Sequence, residues 1–145
     1  MKFICSSYDP ESGLSTVVVQ HLGVKFTGFA KRHPDDEAVS SELVGGTYAE
    51  MKATIKALKY ERKLAKQKAD EALDFVKSVE QYSKFNKDDA AAKSMYRQLN
   101  QRIKKVNDLA DEINDIYDTY YKMIKQRKDI LAKIQKNHNE SKKDN

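Results

Sequence analysis

Residues 42–59 read ELVGGTYAEMKATIKALK, and how they are read decides the fold. The run is rich in helix formers, yet Gly45 and Gly46 stand side by side near its start. Each glycine in a helix interior costs roughly 1 kcal/mol relative to alanine. Two readings are open. In one, the helix runs through both. Gly45, Ala49, Ala53 and Ala57 are then four apart and form a stripe almost free of side chains, against which another backbone can lie closely. In the other, Thr47 and Glu50 make a capping box and the helix starts at Thr47. The continuous helix gives Gly45 a packing role and leaves Gly46 as the place to kink.

Upstream, residues 2–32 alternate and are rich in β-branched and aromatic side chains. KFICSSY (2–8), LSTVVVQHL (14–22) and VKFTGFAKR (24–32) read as three strands. DPESG at 9–13 supplies a loop, and Leu22–Val24 a tight turn. In the third strand Val24, Phe26 and Gly28 share one face and Phe29 lies on the other. Three strands cannot bury a face alone, so a helix must cover one side. Residues 33–41, HPDDEAVSS, connect sheet to helix, with Pro34 disfavouring helix at His33.

Downstream, two proline-free runs are separated by KFNKDD at 84–89, where Asn86 or Asp88 can cap the second helix. Tyr48, Met51, Ile55, Leu58, Arg62, Ala65, Ala69, Ala72, Val76 and Val79 alternate by three and four, with only Arg62 breaking the apolar seam. The second run repeats the spacing from Tyr96 to Ile134. Sustained heptads across a short turn predict an antiparallel helical hairpin, with two unrelated bundle helices as the rival. Each arm would exceed about 50 Å, and residue i would face about residue 171 − i. Leu109, Ile116, Met123 and Ile130 add a flanking stripe every seven residues. That stripe either docks the sheet or makes a homodimer, and the second is preferred.

The expected fold is therefore α+β: a three-stranded antiparallel β-meander packed on the start of a long antiparallel helical hairpin, a coiled coil. Its expected parts are a β-β-β-α unit at 1–60, the hairpin at 61–136 and a disordered tail at 137–145. Composition agrees, with 34% charged and 39% hydrophobic residues, no Trp and two Pro, which suits exposed helices that bury a stripe each. The lone Cys5 excludes an internal disulfide and, in an alternating run, predicts a buried thiol. No apolar stretch reaches the length of a signal peptide or a membrane span. The expectation is a protein of a bacterial host cytoplasm.

Charge is uneven: residues 1–47 carry a net −2, residues 48–87 +4 and residues 88–145 +3. Lys52, Lys56, Lys59, Lys63 and Lys66 recur by three or four on one face, thickened by Arg62. Such a face can track phosphates with strong salt dependence. Alternatively, it is matched by Asp108, Asp111, Glu112, Asp115 and Asp118 across the hairpin or a dimer. His33 with Asp35 and Asp36 can hold a metal, but an acidic loop is the better reading, so neither metal nor cofactor is expected. No phosphate loop, nucleophile elbow or catalytic carboxylate pair stands out, and an enzyme is not expected. Tyr121 and Tyr60 are candidate partner anchors.

FTGFAKRHPDD followed by VGGTYAEMKATIKAL, on Gly28, Ala30, Pro34, Asp36, Gly45, Ala49 and Ala53, resembles small phage and bacterial proteins with a double-stranded-RNA-binding-like β-β-β-α unit over about residues 2–60. Such domains hold phosphates with lysines at the helix entry. Here Asp35, Asp36, Glu37 and Glu42 stand there instead, which argues against that mode of RNA binding. The resemblance implies a phage-type interaction protein that binds a host protein or nucleoprotein, in its most specific form an inhibitor of a host defence nuclease such as a CRISPR effector. The alternative is a nucleic-acid-binding accessory protein using the lysine face.

Overall fold

The computed structural model describes residues 1–32, 42–82, 86 and 88–144. Three strands, β1 (Lys2–Asp9), β2 (Leu14–His21) and β3 (Val24–Lys31), precede two helices, α1 (Glu42–Tyr82) and α2 (Ala90–Lys143). The expected connection at 33–41 lies outside the described residues. Both helices contribute to two compact units, one of Met1–Ala57 with Asp115–Asn145 and one of Leu58–Asn114. In the first, a three-stranded antiparallel sheet packs on helix; in the second, two long helices contact each other. The expected α+β architecture is the one observed.

In the first unit the sheet order is β1-β2-β3. Asp9 closes the first connection, accepting hydrogen bonds from Ser12 Oγ (2.6 Å) and the Glu11 amide (3.1 Å), while Gly13 turns the chain at φ +68°. Leu22 and Gly23 both have positive φ (51° and 79°), which gives a two-residue hairpin whose twist matches its strands. Ser15, Val17 and Val19 of β2 and Gly28 and Ala30 of β3 are buried on one face, whereas Phe29 is 49% exposed.

Cys5 departs from expectation. It is exposed, because an irregularity between Phe3 and Cys5 shifts the register and pairs Cys5 with Val18, leaving Ser6 opposite buried Val17. One extra residue in a strand moves every later side chain to the other face.

The helix runs through both glycines. Thr47 Oγ1 donates to the Leu43 carbonyl at 2.9 Å, the back-bond of a residue inside a helix rather than a cap. Ala49, Ala53 and Ala57 are fully buried. The tightest approach, however, is made from the sheet side: a Cβ on Gly28 would lie 1.8 Å from the Ala49 carbonyl oxygen and 2.6 Å from the Ala53 nitrogen. Gly45 contributes at the margin, where a Cβ would meet Ser15 Oγ at 2.4 Å, and Gly46 has nothing within 4 Å. Tyr120, Met123 and Ile124 of α2 pack on the cluster formed by Val17, Val19, Ala30, Tyr48 and the alanines. At Met123 the flanking stripe therefore docks the core.

In the second unit the helices are antiparallel, as the pairs Glu61–Lys105, Lys68–Arg102 and Glu80–Tyr96 show. Lys68–Arg102 falls within one residue of the expected relation to residue 171 − i, and the other two pairs within five. Leu58, Ala65, Ala69 and Val76 of α1 are buried against a seven-spaced series on α2: Ala92, Leu99 and Ile113 are buried and Val106 half-buried. Leu109 flanks this line and is 7% exposed, whereas Ile103 on the other flank is 42% exposed. A single neighbour covers a narrow seam, not three positions per heptad.

The cap of α2 is Asp89, whose carbonyl accepts from the Lys93 amide at 3.0 Å; Asn86 instead binds the Asp88 amide through its side chain. Neither expected cap holds that place. The tail also differs, since α2 continues to Lys143 where disorder from 137 is expected. The helix there rests on local bonds: Ser141 Oγ to the Asn137 carbonyl and Lys136 with Glu140.

Candidate functional site

The lysine face predicted along α1 divides between the units, and its members differ in what they touch. In the first unit Lys52 Nζ sits 5.9 Å from the Tyr120 ring centroid. Lys56 Nζ donates to the Thr27 carbonyl at 2.6 Å and lies 5.8 Å from the Phe29 ring centroid. Both side chains are thus engaged in holding α1 to its surroundings. In the second unit Lys59, Arg62, Lys63 and Lys66 are exposed.

The acidic band expected opposite this face is partly used within its own helix. Lys104 pairs with Asp108 at 2.7 Å, and this contact raises the Lys104 pKa above its ordinary value. Across the hairpin, Lys105 reaches Glu61 at 3.4 Å. The Lys104–Asp108 pair is exposed on both sides, and exposed pairs contribute little to stability. Tyr96 donates to Glu80, and this bond, more than the burial around it, pushes the phenol pKa upward.

The four residues of the flanking stripe also part company. Leu109 is buried in the second unit, and Met123 packs on the core of the first. Ile116 joins Met51, with Thr47, Glu50, Thr54, Asp115 and Thr119, around an open groove of about 390 Å³, and Ile130 is 48% exposed.

The tyrosines of α2 form a cluster of contacting rings in the first unit. Tyr121 is 61% exposed, stacked on Tyr117 at 6.2 Å and 17°, and edge-on to Tyr120 at 5.6 Å and 74°. Tyr120 is itself anchored edge-on to buried Tyr48 at 5.4 Å. A chain of rings therefore runs from core to surface. Tyr60, the other candidate anchor, is half-buried.

Gly28 and Arg127 are the residues that sequence reasoning underrated. Arg127 occupies an apolar seam position, its guanidinium carbon 5.5 Å from the Tyr48 ring centroid. A glycine inside a strand and a charge inside a seam were the available signals. His33, Asp35 and Asp36 lie outside the described residues, and among the described residues no group of three or more metal-ligating side chains gathers. No described helix is long and apolar enough to cross a membrane. The shared β-β-β-α order is generic, and no family model, curated protein or solved structure matches the chain.

Proposed function

We propose that the chain is a non-catalytic interaction protein that engages a macromolecular partner through the Tyr117–Tyr121 surface of α2. The observation that carries this reading is Tyr121, 61% exposed yet held by two neighbouring rings. An aromatic side chain already fixed in place loses little entropy on binding, and tyrosines of this kind dominate interface energetics. The resemblance to phage and bacterial proteins supports a narrower form, in which the partner is a host defence nuclease such as a CRISPR effector and binding inhibits it. Cleavage assays on purified defence nucleases test that form: inhibition that weakens more than about tenfold in Tyr121→Ala, at unchanged melting temperature, supports it. Absence of inhibition overturns the narrower form. A photo-crosslinking residue at 121 that yields no partner adduct overturns the surface itself.

A second reading has its own observation, the exposed Arg62, Lys63 and Lys66 of the second unit. These side chains suit sequence-independent contact with a nucleic-acid backbone. A mobility-shift titration decides it: binding must fall steeply with salt, and charge reversal at Lys63 and Lys66 must flatten that slope.

A further inference from the structure

The first unit holds a small cavity beside the first turn of α1. Ser15 and Tyr48, 1% and 6% exposed, both line it, and neither hydroxyl has a hydrogen-bond partner among the described residues. Buried hydroxyls are rarely left unpaired, because the lost hydration is not regained. The space amounts to about 20 Å³, enough for one water-sized group. Arg127 enters the lining from α2 across the Tyr48 ring. Arg32 enters from the end of β3, lying over Gly13, where a Cβ would stand 2.6 Å from the Arg32 Cβ. Lys31 is a third cation, and no acidic residue is among the described lining. Gly45, also in the lining, belongs to the helix end that carries partial positive charge.

We propose that this cavity is an oxyanion site. One oxygen of a carboxylate or phosphate group enters it and accepts hydrogen bonds from Ser15 Oγ and Tyr48 Oη. The cations of Arg127, Arg32 and Lys31 balance the charge of the remainder at the mouth. A water molecule would serve the hydroxyls equally; the cationic lining is what favours an anion.

Melting temperatures of the full chain in chloride, acetate and phosphate at matched ionic strength and pH provide the test. Acetate or phosphate at about tenfold its dissociation constant raises the melting temperature by about 4 °C over chloride. Tyr48→Phe and Arg32→Gln each abolish that increment. Tyr48→Phe keeps or gains stability in chloride, because it deletes an unpaired buried hydroxyl, so its lost response is not a loss of fold. A larger response to acetate assigns a carboxylate ligand, and a larger response to phosphate a phosphoryl ligand. Equal melting temperatures in the three salts, or an increment that survives Tyr48→Phe, overturn the proposal and leave water as the occupant.

Discussion

In the first unit α1 lies backbone against backbone, with Gly28 on the Ala49 carbonyl and fully buried alanines on either side. In the second, the same helix runs antiparallel to α2, and its buried residues among those described are Leu58, Ala65, Ala69 and Val76. Closeness in the first unit comes from missing side chains on both partners, so it tolerates no added atom. Burial in the second comes from a thin line of side chains, so it is sensitive to atoms removed. One helix thus carries two kinds of fragility, and each can be attacked separately.

The largest effect is expected at Gly28. Gly28→Ala places a methyl into the Ala49 carbonyl and should cost about 3 kcal/mol or more, beyond ordinary overpacking. Hydrogen exchange should show β2 amides losing protection before those of residues 62–80. Equal loss in both would mean that the units unfold together. Leu99→Ala reverses the design by opening a cavity in the thin seam, at about 2–3 kcal/mol. Here protection should fall in the second unit first, and an unchanged exchange pattern would break the contrast.

The adjacent glycines give a finer comparison. Gly45→Ala meets Ser15 Oγ at 2.4 Å and should lose about 1–2 kcal/mol, partly restored when Ser15→Ala is added. Gly46→Ala meets nothing within 4 Å and should gain about 0.5–1 kcal/mol from the stiffer unfolded chain and better helix propensity. Denaturant midpoints of the three variants measure both, and a Gly46→Ala that destabilises would show that the helix needs glycine at that position.

The smallest effect concerns pH. The Ser12 hydroxyl first, then the Glu11 amide, hold the Asp9 carboxyl below its usual pKa. The folded value is depressed, so its stabilising contribution is present above the unfolded pKa and disappears as pH falls through the folded one. The melting-temperature gap between the parent and Asp9→Ala should therefore narrow from about pH 5 to about pH 2. A gap constant across that range would assign the loop to backbone geometry alone.

Much of this architecture was legible because local periodicity carries it. Alternation marked the strands, Asp9-Pro10 and Gly13 the first loop, and the heptads from Tyr48 and Tyr96 the antiparallel register. Cys5 was misread because a register shift inserts one residue without changing the pattern of side-chain types. The continued helix at 137–143 was missed because polarity argues against packing, while local hydrogen bonds suffice to hold a helix. The candidate surfaces were less legible still. Lys52 and Lys56 look like free cations in sequence, and only their ring and carbonyl contacts show otherwise.

By itself, then, the sequence determined the three strands, the two helical runs to about residue 136 and their order, since each depends on neighbours within a turn or two of the chain. Only the tertiary structure decided that Gly28 rather than Gly45 is the point of closest approach, and that the flanking stripe is divided between buried and exposed positions. It alone brought Ser15, Tyr48, Arg32 and Arg127 around one cavity. These outcomes depend on distances between residues far apart in the chain, and no period in the sequence encodes such distances.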